Sequence, residues 1–219
     1  MKYHSDFKLE TLIAQAREEL SENEPEVFKI FTLSLMVGLR RREIDLLQWS
    51  SFHWESNTIR IEPTEFFEPK SEDSIGNVQV DPELMQIFRG YLAKRHQARF
   101  VIASRGNPKP QVVYIHYRCQ EHFKRLNQWL RSKGVSANKP LHTLRKEYGS
   151  QICALHGIHA ASRALRHADI SLTNEFYTDS RRPATLGLGH LLVAPSEKIT
   201  PIKESQQSEP FAAHSIKAH

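Results

Sequence analysis

The sequence predicts a mainly α fold with one small three-stranded antiparallel sheet, an α+β architecture. Three observations carry this. Apolar residues recur with helical period along most of the chain. Two short stretches, 58–62 and 77–80, alternate with period two. A hydrophobic fraction of 39% with 25% charged residues describes an ordinary chain able to bury a core, and 219 residues allow one domain or two small ones.

The elements follow in order. Leu9, Leu12, Ile13 and Leu20 lie on one face of a first helix whose other face is acidic. Glu24-Pro25 opens a second, apolar nearly all round from Val27 to Met36, as a buried helix must be. Gly38 stops or bends it, and Arg40-Arg41-Arg42-Glu43-Ile44 begins a short third. The alternating stretches at 58–62 and 77–80, with Phe66-Phe67 between them and a turn at 71–76, predict the sheet. Asp81 as N-cap and Pro82 at the first helical position start a helix running to about Arg95. A Gly/Pro/Lys loop is expected at 104–112, with helices at 117–133, 142–155, 158–165 and 171–179. Residues 195–219 are poor in apolar side chains and are expected to form a disordered tail.

No run of about 18 apolar residues is present, which excludes a helical membrane span. No apolar segment follows the N-terminal Met1-Lys2-Tyr3 as a secretory signal requires, so a cytoplasmic location is expected. Two cysteines, Cys119 and Cys153, cannot build a disulfide framework.

The charge is unevenly spread. Residues 1–88 hold 9 Lys+Arg against 17 Asp+Glu, whereas residues 89–152 hold 14 against 2. A block so poor in acids is an electrostatic footprint for a polyanion, most simply nucleic acid; the alternative is a solvated surface that binds nothing. Arg118, Lys124, Arg125, Arg131 and Lys133 fall on the 117–133 helix, and Lys146 on the next. Arg118, Lys124, Arg125, Arg131 and Lys146 are the candidate nucleic-acid contacts.

Two smaller constellations point to an anion. Arg40 leaves the core where the buried helix ends, and Glu43 three residues on can hold its guanidinium. His142 and Arg145 share a face at a helix start, where free N–H groups add partial positive charge. Read alone, each is equally a solvated arginine cluster or a helix-capping histidine beside a surface arginine. The segment Leu165-Arg166-His167, with Tyr177 ten residues after the histidine, supplies context.

Set in order, Gly38-Leu39-Arg40-Arg41-Arg42-Glu43-Ile44, His142-Thr143-Leu144-Arg145 and Leu165-Arg166-His167…Tyr177 resemble the catalytic domain of the tyrosine recombinases, or phage integrases, over about residues 8–182. The resemblance implies a metal-independent, cofactor-free strand transferase that cuts and rejoins double-stranded DNA through a 3′-phosphotyrosyl link. Tyr177 would be the nucleophile. Arg40 and Arg145 would hold the non-bridging oxygens of the scissile phosphate, which suits the fixed charge and fork of arginine. His142 would assist proton transfer at the tyrosine, His167 would donate to the phosphate, and Lys70, before the 71–76 turn, would be general acid for the 5′ oxygen.

The family also implies a tetrameric synapse on DNA and a core-binding domain ahead of the catalytic one. Only about 37 residues precede the arginine box. The expected organisation is therefore a catalytic domain at 1–182, a C-terminal segment at 183–194 that docks in cis or in trans, and the tail, with the core-binding domain missing. A fragment of a longer recombinase is expected ahead of a stand-alone variant. Arg166 departs from the glycine usual before the histidine. A type IB topoisomerase-like activity and a non-catalytic DNA-binding module of integrase origin are the alternative functions.

Cys119-x-x-His122 and Cys153-x-x-His156-x-x-His159 have zinc-like spacing but fall in helices among apolar residues, so core cysteines with surface histidines are expected. Trp49 is expected to pack between helices and sheet.

Overall fold

The computed structural model describes residues 7–69, 72–94, 98–108, 117–166 and 185–193. Lys70, His167, Tyr177, the helix expected at 171–179 and the 195–219 tail lie outside the described residues.

Helix α1 (Leu9–Leu20) buries Leu9, Leu12, Ile13, Ala16 and Leu20 on one stripe. Helix α2 (Pro25–Leu35) is buried at every residue from Val27 to Leu35 and forms the centre of the domain. Its position explains its composition: α1, α3 (Arg41–Leu46), α5 (Gln120–Ser132) and α6 (Pro140–His156) all pack on it. Lys29, on this helix, is also buried; its Nζ donates to the Val101 carbonyl at 2.7 Å and pairs with Glu26 at 2.8 Å. Buried charge is tolerated here because it is hydrogen-bonded.

The sheet has order β1-β2-β3 and is antiparallel throughout: β1 (Phe52–His53), β2 (Thr58–Ile61) and β3 (Gly76–Gln79). Ile59 pairs with Phe52 on one side and Val78 on the other, and all three are buried. Phe66-Phe67 contribute no strand. They follow Thr64, whose hydroxyl accepts the N–H groups of Phe66 at 3.3 Å and Phe67 at 3.1 Å, a side-chain-closed turn that competes with strand pairing. Trp49 is buried against Phe52 and Phe88, with ring centroids 5.3 and 6.3 Å away, as its composition-level reading anticipates.

Helix α4 (Pro82–Ala93) begins where expected, with Pro82 in its first turn. Asp81 occupies the N-cap position, yet its side chain caps nothing in α4. Its buried carboxylate accepts the backbone N–H groups of Gly187 at 3.3 Å and Gly189 at 3.1 Å. Residues 185–193 thus lie on α1 and α4 of the same chain, and Arg17 donates to the Val193 carbonyl at 2.9 Å. Helix α7 (Ile158–Leu165) packs on α6, and Tyr148, Ile152, Ala160, Ala161 and Leu186 form a second, smaller core. No helix among the described residues is long and apolar enough to cross a membrane.

Candidate active site

Gly38 is the pivot of the site. Its φ of +67° is a left-handed backbone that disfavours a side chain, and a Cβ there would overlap the Tyr148 ring. The glycine therefore turns the chain out of α2 and lets α6 approach the turn closely. Leu39 closes the turn by donating to the Leu33 carbonyl at 3.0 Å. Arg40 follows at the N-cap of α3.

Arg40 is held on two sides. Its Nη1 meets Glu43 Oε1 at 2.9 Å, its backbone N–H donates to Glu43 Oε2 at 2.7 Å, and its Nη2 donates to the Arg166 carbonyl at 3.0 Å. The i, i+3 partnership with Glu43 read from the sequence is present. Arg145, on the first turns of α6, is buried and spans the same region: Nη1 donates to the Gly38 carbonyl, and Nη2 to the Leu165 carbonyl at 2.6 Å. Two arginines 105 positions apart in the sequence are thus braced by carbonyls of the Gly38 turn and the end of α7. A guanidinium fixed by backbone oxygens is preorganised and loses little freedom when an anion arrives.

His142 stands one turn ahead of Arg145 on α6 and is exposed. A cleft of about 590 Å³ opens beside them, walled by Arg40, Arg41, Arg42, Arg131, Lys139, His142 and Arg145 together with uncharged residues. No Asp or Glu among the described residues lines it. The electrostatics follow. Burial, then the charge of Arg40, push the Arg145 guanidinium down to about 9, against the opposing pull of Glu43. Partial desolvation, then Lys146, Arg145 and Lys139, push the His142 imidazole below its usual value. Burial pushes the Glu43 carboxyl up, but the charge of Arg166 and the charge and hydrogen bonds of Arg40 outweigh it and leave it lowered. The cleft gathers cations with no described carboxylate on its wall, and an anion there would relieve their mutual repulsion.

The chain of candidate contacts on α5 divides. Arg131 lines the cleft. Lys124 pairs with Glu121 at 2.9 Å and Arg125 with Glu24 at 2.9 Å, both at the surface. Lys146 is exposed beside His142. Arg118 corrects the sequence reading: it is buried, not a phosphate contact. Its guanidinium donates to the carbonyls of Asp45 and Ile102 and to Cys119 Sγ at 2.9 Å, and lies 4.3 Å from the Phe100 ring centroid. Asp45 in turn accepts the N–H groups of Arg118 and Cys119 at the start of α5. Cys119 and His122 are both engaged in the protein, His122 with the Ala103 carbonyl at 3.0 Å.

Sequence reasoning did not single out Arg41, Arg42 or Lys139 as members of this wall. Arg41 stacks over Tyr117, 3.9 Å from its centroid, and binds Gln120 at 2.6 Å. Lys139 immediately precedes Pro140 at the start of α6, a position that places it beside His142 and was readable as part of the same helix start. Of the six expected catalytic residues, the structure brings together Arg40, His142 and Arg145; Lys70, His167 and Tyr177 lie outside the described residues.

The phage integrase family model matches residues 5–182, well over half of the chain. The chain belongs to the phage integrase family. Among solved structures, the integrase of the Tn1549 transposon, determined in complex with circular intermediate DNA, matches with a TM-score of 0.55 and 16% identity, over 82% of this chain and 64% of that one. The XerA recombinase matches with a TM-score of 0.55 and 16% identity, over 80% of this chain and 59% of that one. At such identity the likeness establishes the fold, that of a tyrosine recombinase catalytic domain, and this phage integrase family member spans under two thirds of either structure. No curated protein sequence matches the chain.

Proposed function

We propose that this member of the phage integrase family is the catalytic domain of a site-specific recombinase that cuts and rejoins duplex DNA through a covalent bond to Tyr177. The carrying observation is the convergence of Arg40, His142 and Arg145 on a cationic cleft with no described carboxylate on its wall. A scissile phosphodiester bridged by Arg40 and Arg145 would have its developing charge stabilised by donors already in place; one such donor contributes about 3–4 kcal/mol.

The step balances without metal or nucleotide. The Tyr177 phenol oxygen attacks phosphorus, a P–O bond to tyrosine forms, and the P–O5′ bond breaks. His142, whose neutral form its surroundings favour, assists removal of the phenol proton, and Lys70 protonates the departing 5′ oxygen. His167 donates to the phosphate. Reversal rejoins the strand, since the phosphotyrosyl bond conserves the energy. The Tn1549 integrase, solved with DNA, supports duplex DNA as the partner. A tetramer on DNA completes the proposal.

The test is covalent capture from a pool of nicked suicide duplexes of randomised sequence. A protein–DNA adduct that disappears in Tyr177→Phe is the expected result. Duplex binding with no adduct in any pool would leave only the DNA-binding module. Relaxation of supercoiled plasmid without site preference would instead mark topoisomerase-like chemistry.

A further inference from the structure

Arg166 stands at the left-handed end of α7, with φ +50°. Glycine adopts that backbone freely, whereas an arginine there is strained. Its side chain is buried and turns away from the cleft onto Glu43, with Nη2 2.6 Å from Oε2 and both side chains under 5% exposed. Nε and Nη1 of Arg166 are buried without a hydrogen-bond partner among the described residues. The residue therefore reaches Arg40 by two routes, one direct and one through Glu43. Its carbonyl accepts Arg40 Nη2, and its guanidinium shares Glu43 with Arg40.

The sharing has a direction. Glu43 has two oxygens. The Arg40 guanidinium bonds Oε1, while the Arg166 guanidinium and the Arg40 backbone N–H take Oε2. Without the Arg166 side chain, Oε2 keeps only the Arg40 backbone N–H, and the Arg40 guanidinium becomes the one cation of the pair left to compensate the carboxylate. The charge of Arg40 would then be spent on one buried carboxylate rather than on an anion in the cleft. With Arg166 in place, one carboxylate is divided between two cations, and Arg40 is only partly compensated.

We propose that Arg166 is a positioning residue for the oxyanion: it draws Glu43 onto itself and so keeps the Arg40 guanidinium available to a phosphate in the cleft. This rests on the reading of the cleft as a phosphodiester site. Like-charge pressure from Arg40 and Arg166 on Arg145 is consistent with one shared field.

The experiment is titration of the full chain with inorganic phosphate, read by calorimetry, with thermal melting alongside. Arg166→Gly is expected to weaken phosphate binding about tenfold, the scale of one lost charge-assisted contact, while Arg166→Lys stays within about threefold of wild type. In a Glu43→Gln background, Arg166→Gly is expected to have no further effect on affinity. A purely structural role would lower melting without this pattern of affinities. Should Arg166→Gly not fold, Arg166→Met, which retains the aliphatic stem, carries the same expectation.

Wild-type affinity in Arg166→Gly, an equal loss in the Glu43→Gln background, or no phosphate binding by wild type would each overturn the proposal. Adduct capture separates the two readings. An adduct without the phosphate pattern removes the role of Arg166 alone. The phosphate pattern without an adduct removes the phosphotyrosyl reading and leaves Arg166 as the positioning residue of an anion site.

Discussion

Helix α5 carries basic residues on faces with opposite surroundings. On one face Arg125 meets Glu24 and Lys133 meets Glu19, which also accepts from Trp129 Nε1 at 2.8 Å. The hydrogen bond from Lys133 leads the causes that lower the Glu19 carboxyl. On the other face Arg131 looks into the cleft, where the described neighbours are Arg40, Lys139 and Arg145 and no carboxylate. The lesson concerns charge blocks. The basic 89–152 stretch and the acidic 1–88 stretch are opposite in sequence, yet folding brings α5 onto α2 and near α1, so part of each block neutralises the other. The basic wall of the cleft draws also on the acidic third itself, through Arg40, Arg41 and Arg42.

The largest effect expected is at Arg145. Arg145→Ala should lower adduct formation by more than about 100-fold. It should also cost about 2 kcal/mol of stability, because the Gly38 and Leu165 carbonyls lose a buried donor. Suicide-substrate capture and urea unfolding measure the two separately, and a fold as stable as wild type would contradict the bracing role of the guanidinium.

Arg118→Ala comes next and reverses the pattern. Removal of a buried guanidinium that donates to Asp45, Ile102 and Cys119 should cost about 2–4 kcal/mol in chemical denaturation. Under conditions where the variant is folded, its duplex affinity should equal that of wild type.

The two faces of α5 are compared directly by a pair of variants. Arg131→Ala should reduce the slope of log affinity against log salt by about one, while Arg125→Ala leaves slope and affinity unchanged and costs less than about 1 kcal/mol of stability. Equal slopes for the two would erase the distinction drawn above.

The smallest effect is a pH dependence. The folded-state pKa of His142 is depressed relative to the unfolded chain. The unfolded state therefore takes up the proton first as pH falls, so the associated stability is present above about 6.5 and lost as pH drops through the folded pKa. Thermal melting of wild type should accordingly fall more between pH 7 and pH 5 than that of His142→Gln. Parallel profiles would argue against the cationic environment of the imidazole.

Much of this molecule was legible before folding. The burial of α2 follows from an apolar run with no polar face, and the limits of α7 agree with the expected 158–165. The partnership of Arg40 with Glu43 followed from helical spacing. Other features escaped because they depend on partners remote in the chain. Asp81 has the sequence context of an N-cap, yet residues 187 and 189 offered their N–H groups to its carboxylate. Arg118 looks like its basic neighbours, and only the approach of Asp45 and the Ile102 carbonyl made it a core residue.

Local periodicity and turn chemistry act over a few residues, so the sequence alone determined where helices lie to within a few residues, which stripe each buries and which residue types could grip a phosphate. Which cations stay unpaired is a different kind of property, a sum of Coulomb interactions over distances that only folding sets. That is why the tertiary structure decided that Arg131 faces the cationic cleft, that Arg125 spends its charge on Glu24, and that Arg166 lies against Glu43.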